Sequence, residues 1–288
     1  MRRLSFFQLA FMLLATSLMQ AVAQQAKQDE RARTLRNEGL EQYYQSRFQE
    51  AVETFKQAIQ LKSDYAQAYS DLGMAESRLN RYSEAIESFT QAIRLNPRLT
   101  EAYYNLGTAY YNLGRLKEAI TEFKRAISLK PDYAWAHNNL GVTYYELERF
   151  DEAIDSYKRA LQEKPDWAEA HCMLALALER AGRSSEAIES FKRAISLKPD
   201  YAEAHNSLGV VYYNMKRYRE AAAAFAEAVR LKPEFALARY NLGATSLVTN
   251  RREVALEQYG TLKSLSNELA GMLYSGIYRG MLLNVNEK

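Results

Sequence analysis

Apolar residues along this chain keep two rhythms at once. Over short stretches they recur at helical spacing: Tyr103, Leu106 and Tyr110, with Gly107, fall on one stripe, and Ala119, Phe123 and Ala126 fall on the next. Over longer stretches the stripes themselves return every 34 residues. Gly39, Gly73, Gly107, Gly141, Gly209 and Gly243 recur in register, as do Ala51, Ala85, Ala119, Ala153, Ala187, Ala221 and Ala255. Four residues after each of these alanines comes a ring: Phe55, Phe89, Phe123, Tyr157, Phe191, Phe225 and Tyr259.

The five prolines punctuate the same pattern, at Pro97, Pro131, Pro165, Pro199 and Pro233. A proline inside a helix costs about 3 kcal/mol, so each one marks a gap between helices. The unit between gaps is a pair of amphipathic helices. Neither helix can bury its stripe within the pair alone, so successive pairs must stack into a continuous core. The expected fold class is all-α.

Stretches such as Ala102-Tyr-Tyr-Asn-Leu-Gly-Thr-Ala-Tyr-Tyr111, followed by Glu118-Ala-Ile and Phe123-Lys-Arg-Ala126, resemble the tetratricopeptide repeat (TPR) family, and in particular an exported bacterial member of it. The resemblance implies a right-handed superhelical solenoid of seven helix-turn-helix units, at 32–65, 66–99, 100–133, 134–167, 168–201, 202–235 and a degenerate 236–269. Residues 24–31 would form a linker or helical extension before them. Residues 270–288 would form a capping helix and tail. The departures cluster at the ends and in the fifth unit: Ser63 and Asn267 stand where proline is expected, Leu262 replaces an alanine, and Ala175 replaces a glycine. Terminal repeats lack a neighbour on one side, which explains the first group. The final segment, with Met272, Leu273, Ile277, Tyr278, Met281 and Leu282, is apolar enough to dock on the last repeat. Its Gly276 and Gly280 would also permit close approach by a second helix, so self-association through it is the competing expectation.

At the N-terminus, Arg2 and Arg3 precede an apolar run from Leu4 to about Met19, and Ala21-Val22-Ala23 offers small residues where a signal peptidase reads. Residues 1–23 are expected to be a signal peptide cleaved after Ala23, giving an exported, periplasmic or secreted protein. An uncleaved segment anchoring the chain in a membrane is the alternative. Without Arg2 and Arg3, the 38 basic residues fall to 36 and nearly balance the 35 acidic ones, which gives no electrostatic reason to expect nucleic acid as a partner. The single cysteine, Cys172, excludes a disulfide within the chain and is expected to be buried as a small apolar residue.

Candidate chemistry is sparse. His137, His171 and His205 are 34 residues apart at the fourth position of their repeats, a spacing that makes them packing residues rather than ligands of one metal ion. No nucleophile has a histidine and carboxylate placed by anything but the repeat. No catalytic residue, metal or cofactor is therefore expected.

Binding is the remaining function. The first helix of each unit would line a concave face, with positions 2, 5, 9 and 12 forming a stripe beside the packed one. That stripe holds Trp135, Tyr104, Asn138, Asn206, Tyr111, Tyr145 and Tyr213, and position 6 adds Asn37, Asn105, Asn139 and Asn241. Rigidly held aromatics make anchors. The family resemblance implies a further role for the asparagines, as a ladder along an extended peptide backbone. The tyrosines at position 12 have a competing use, packing on their own turn. Lysine or arginine suited to a carboxylate clamp occurs in the groove only at Arg33 and Arg36. The expected function is a non-catalytic scaffold for a protein or peptide in envelope complex assembly. A self-associating structural unit and a glycan-binding solenoid are the alternatives.

Overall fold

The computed structural model describes the backbone of residues 6–285 and the side chains of residues 14–278. Arg2 and Arg3, the beginning of the apolar run, and the side chains of Met281 and Leu282 lie outside that description. All regular elements among the described residues are helices. They form two compact units, one ending at Pro131 and one beginning at Asp132. The first holds α1 (Phe6–Tyr44), α2 (Phe48–Leu61), α3 (Ala66–Arg78), α4 (Tyr82–Leu95), α5 (Thr100–Asn112) and α6 (Leu116–Leu129). The second holds α7 (Ala134–Glu146), α8 (Phe150–Glu163), α9 (Ala168–Arg180), α10 (Ser184–Leu197), α11 (Ala202–Asn214), α12 (Tyr218–Leu231), α13 (Ala236–Val248), α14 (Arg252–Leu265) and α15 (Asn267–Val285).

Five of the helical pairs close around the same contact. A Cβ placed on Gly39, Gly73, Gly107, Gly141 or Gly209 would stand 2.6 to 2.8 Å from the ring of Phe55, Phe89, Phe123, Tyr157 or Phe225, respectively. The ring of the second helix thus lies directly on the backbone of the first. All five rings are almost wholly buried, and full burial of such a side chain is worth roughly 1.5–3 kcal/mol.

The turn between the paired helices is equally regular. Residue 15 of every repeat, counted from the units above, has positive φ: Ser46, Asn80, Gly114, Glu148, Gly182, Lys216 and Asn250. Only two of the seven are glycine. The next residue is always arginine, and its N–H closes back on the carbonyl five residues earlier, as in Arg47 to Gln42, Arg149 to Tyr144 and Arg251 to Ser246. This is the hydrogen-bonding pattern of a Schellman cap. The arginine side chains then turn to position 19, where Arg47, Arg115, Arg149, Arg183 and Arg217 pair with Glu50, Glu118, Glu152, Glu186 and Glu220.

The last repeat closes differently. Tyr259, which holds the ring position, is only half-buried and meets Tyr274 of α15 at 5.5 Å. The surface of Gly243 is covered instead by Leu273 of α15, whose Cδ2 would lie 2.6 Å from an added Cβ. Ala270, Leu273 and Ile277 are buried with Ala255 and Leu262, and Gly276 comes close to Leu247 of α13. The apolar face of α15 is thus occupied within its own unit, while Met272 and Tyr274 remain exposed.

At the other end, α1 continues without a break through Ala23 and residues 24–31. Leu14, Leu18, Met19 and Val22 project from it, each more than 60% exposed. Among the described residues no helix is long and apolar enough to cross a membrane.

Two substitutions should move stability in opposite directions in urea denaturation. Leu273→Ala removes the side chain that closes the last repeat and should cost about 2–5 kcal/mol. Lys216→Gly relieves a left-handed turn residue and should gain about 0.5–1 kcal/mol after glycine's own entropy cost.

Candidate functional site

The residues expected to bind are carried by the first helix of each pair, and the two units are best taken separately. In the first unit Asn37 of α1 is exposed and Asn105 of α5 is half-buried; neither amide is engaged by another described residue. Between them Asp71 of α3 accepts a hydrogen bond from Arg36 Nε at 2.5 Å. Burial pushes the Asp71 carboxyl above its usual range, against the opposing pull of Arg36. Burial alone would lower Arg36, yet its bond to Asp71 holds it above its usual value. Tyr104 is half-buried with its ring tilted on Phe123 at 5.9 Å, and Tyr111 is half-buried beside it on α5.

In the second unit several expected ligands are committed to the fold itself. Asn206 is only 6% exposed, and its Oδ1 accepts a bond from Asn241 Nδ2 at 3.0 Å. It is therefore a tie between α11 and α13 and not a groove residue. The same offset links Arg36 to Asp71: position 5 of one repeat reaches position 6 of the next. In these two repeats position 5 faces the neighbouring helix, as it does at Cys172, which is buried in the same way. Asn138 donates to Asn139 at 3.3 Å. Tyr145 stands edge-on to Phe150 at 5.6 Å and Tyr213 edge-on to Tyr218 at 5.3 Å. These tyrosines support their own turns, and Arg180 lies over the Phe150 ring at 4.7 Å. Trp135, 47% exposed, packs against Trp167 at 4.3 Å, with Lys164 over both rings.

The histidines have a local task. His171 and His205 reach the carbonyls of Pro165 and Pro199, at 2.9 and 3.2 Å, and Arg239 makes the corresponding bond to Pro233. Each fastens the start of a repeat to the turn before it.

A cleft opens on this face. It lies between α11 and α13, encloses about 220 Å³, and is walled by Val210, Tyr213, Tyr240, Asn241 and Ala244. Phe225 of α12 closes its floor. The walls come from positions 5, 6, 9 and 12 of two adjacent repeats. Asn241 spends its amide N–H on Asn206 and keeps a carbonyl oxygen; neither tyrosine hydroxyl is engaged by another described residue. The cleft can take one apolar or aromatic side chain and offer hydrogen bonds at its rim. Phe225 was not foreseeable as a lining residue, because its sequence position marks it only as a core ring.

Profiles described as TPR repeat match residues 39–79, 75–114, 107–148 and 181–216, and others described as tetratricopeptide repeat match 134–166 and 202–235. The chain belongs to the tetratricopeptide repeat family. Among solved structures, MamA is 28% identical with a TM-score of 0.55, covering 60% of this chain and 95% of that one. YrrB, described as "a TPR protein with an unusual peptide-binding site", is 26% identical with a TM-score of 0.56, covering 66% and 99%. PilF of Pseudomonas aeruginosa, at 19% identity and a TM-score of 0.62 over 73% and 96%, shares the TPR fold. No curated protein matches the sequence.

Cys172 gives a check on this packing. Burial pushes its thiol up to about 11 from 9.0, which cuts the thiolate fraction near pH 8 by about a hundredfold. Alkylation in the folded protein should be slower than in urea by at least that factor, read by mass spectrometry over time.

Proposed function

We propose that this chain is a non-catalytic scaffold that holds a segment of another protein along the face formed by the first helices of its repeats. The observation that carries the reading is the α11–α13 cleft, where two tyrosines, two small apolar residues and one carboxamide converge on rigid helices. The description of YrrB as having a peptide-binding site supports it by likeness. Asn37 and Asn105 supply further unspent amides in the first unit. The residues tied up in the fold, Asn206 above all, leave a shorter ligand face than a continuous asparagine ladder would give.

The test is selection of binding peptides from a displayed library on the full chain. The selected peptides are then titrated against Tyr213→Ala/Tyr240→Ala/Asn241→Ala. Loss of two aromatic anchors should weaken binding at least about tenfold, with the circular dichroism of the helices unchanged. Equal affinity for both proteins would remove the cleft from the binding face.

We further propose export, with cleavage after Ala23 and a role in assembling an envelope complex. Its support is the Arg2-Arg3 start, the apolar run and the small residues at 21–23. N-terminal sequencing of the protein from a periplasmic fraction should begin at Gln24. A chain retained with membranes and beginning at residue 1 would replace cleavage by anchoring.

A further inference from the structure

The last repeat breaks the arginine pattern at a cleft that lies on the other side of α13. In five repeats the turn arginine pairs with a glutamate three residues on, and in three it also stacks on the position 11 tyrosine: Arg115 on Tyr110, Arg149 on Tyr144 and Arg217 on Tyr212, at 4.5 to 4.6 Å. In the last repeat those partners are replaced by Val254 and Ser246. Arg251 keeps its backbone place and has no ion pair or ring partner among the described residues.

Arg251 opens onto a groove of about 490 Å³ between α12, α13 and α14. Three more guanidinium groups line it. Arg219 has no ion pair among the described residues, and Arg239 bonds only neutral oxygens, those of Pro233 and Gln258. Arg230 is paired with Glu227. The one lining carboxylate is Glu257. With Glu227 set against Arg230 and Glu257 against one more arginine, two positive charges remain uncompensated. Small apolar residues line the groove beside them, Ala222, Ala223 and Ala226 of α12 with Val254 of α14.

Small apolar residues admit a chain at close range, and unpaired guanidiniums around them take carboxylates in charge-assisted, often bidentate, hydrogen bonds. We propose that this groove is a second binding site, for an acidic protein segment whose carboxylates pair with Arg219, Arg239 and Arg251. It shares no lining residue with the α11–α13 cleft and does not rest on the function proposed for it.

The test uses the full chain and a fluorescein-labelled peptide of about 15 residues carrying glutamate at helical spacing among alanine and leucine, with a lysine-for-glutamate peptide as control. Fluorescence anisotropy should show binding of the acidic peptide alone, weakening as sodium chloride is raised. Arg219→Ser/Arg251→Ser should weaken it about tenfold or more. The decisive variant is Val254→Glu, which restores the glutamate found at this position in six of the seven repeats and should pair Arg251. It preserves the repeat pattern, so the helices should be intact while the acidic peptide binds about three- to tenfold less tightly. Tyr213→Ala/Tyr240→Ala/Asn241→Ala should leave this affinity unchanged. Unaltered binding by Val254→Glu and the double arginine variant, or equal binding of the lysine peptide, would overturn the proposal. An oligonucleotide or anionic vesicle bound through the same arginines in preference to the peptide would also overturn it. So would a concentration-dependent dimer that these variants abolish, with no peptide bound.

Discussion

The fold depends on a ring resting on a glycine. With no side chain on the first helix at this point, the second helix can bring a phenylalanine or tyrosine onto bare backbone, and the closeness of that approach sets the geometry of the pair. The buried alanines at Ala51, Ala85, Ala119, Ala153, Ala187 and Ala221 keep the helices close around it. The fifth repeat shows how much latitude exists, since Ala175 occupies the glycine position with Phe191 still wholly buried. One methyl group is tolerated there. Nothing larger appears at that position in any repeat.

A second constraint operates at the turns. The left-handed residue at position 15 is required by the cap, yet Ser46, Glu148 and Lys216 occupy it without glycine's freedom. The cap hydrogen bond and the ion pair of the arginine that follows hold the turn on either side of it, as in Arg149 with Tyr144 and Glu152. Neighbouring pairs are joined in addition by ties such as Arg36 to Asp71 and Asn241 to Asn206.

The architecture was legible because its determinants repeat: prolines, glycines and rings at one fixed interval leave few alternatives to stacked helical pairs. The binding face was legible only in part. Periodicity gives the direction in which a side chain leaves its helix, but it does not say whether the next helix or solvent is there to meet it. Asn206 and Cys172 leave toward a neighbouring helix and are buried, while Tyr213, which also packs edge-on against Tyr218, still borders an open cleft. Pairings between side chains of different repeats depend on distances that no single-chain pattern contains. The arginine every 34 residues was visible in the sequence, but its meaning required the turn to be seen, because only there do its partners at positions 11 and 19 come within reach.

The closure of the last repeat by α15 also bears on how such an array could change in length. Leu273 covers the surface of Gly243, and Ile277 is buried in the same cluster beside Ala255 and Leu262. A duplicated pair inserted between existing repeats would meet the same neighbours on both sides and could be accepted as it stands. A pair added after Leu265 would have to displace α15 first. An added pair therefore meets no obstacle of this kind in the interior, whereas at this end it must first replace the contacts of Leu273 and Ile277.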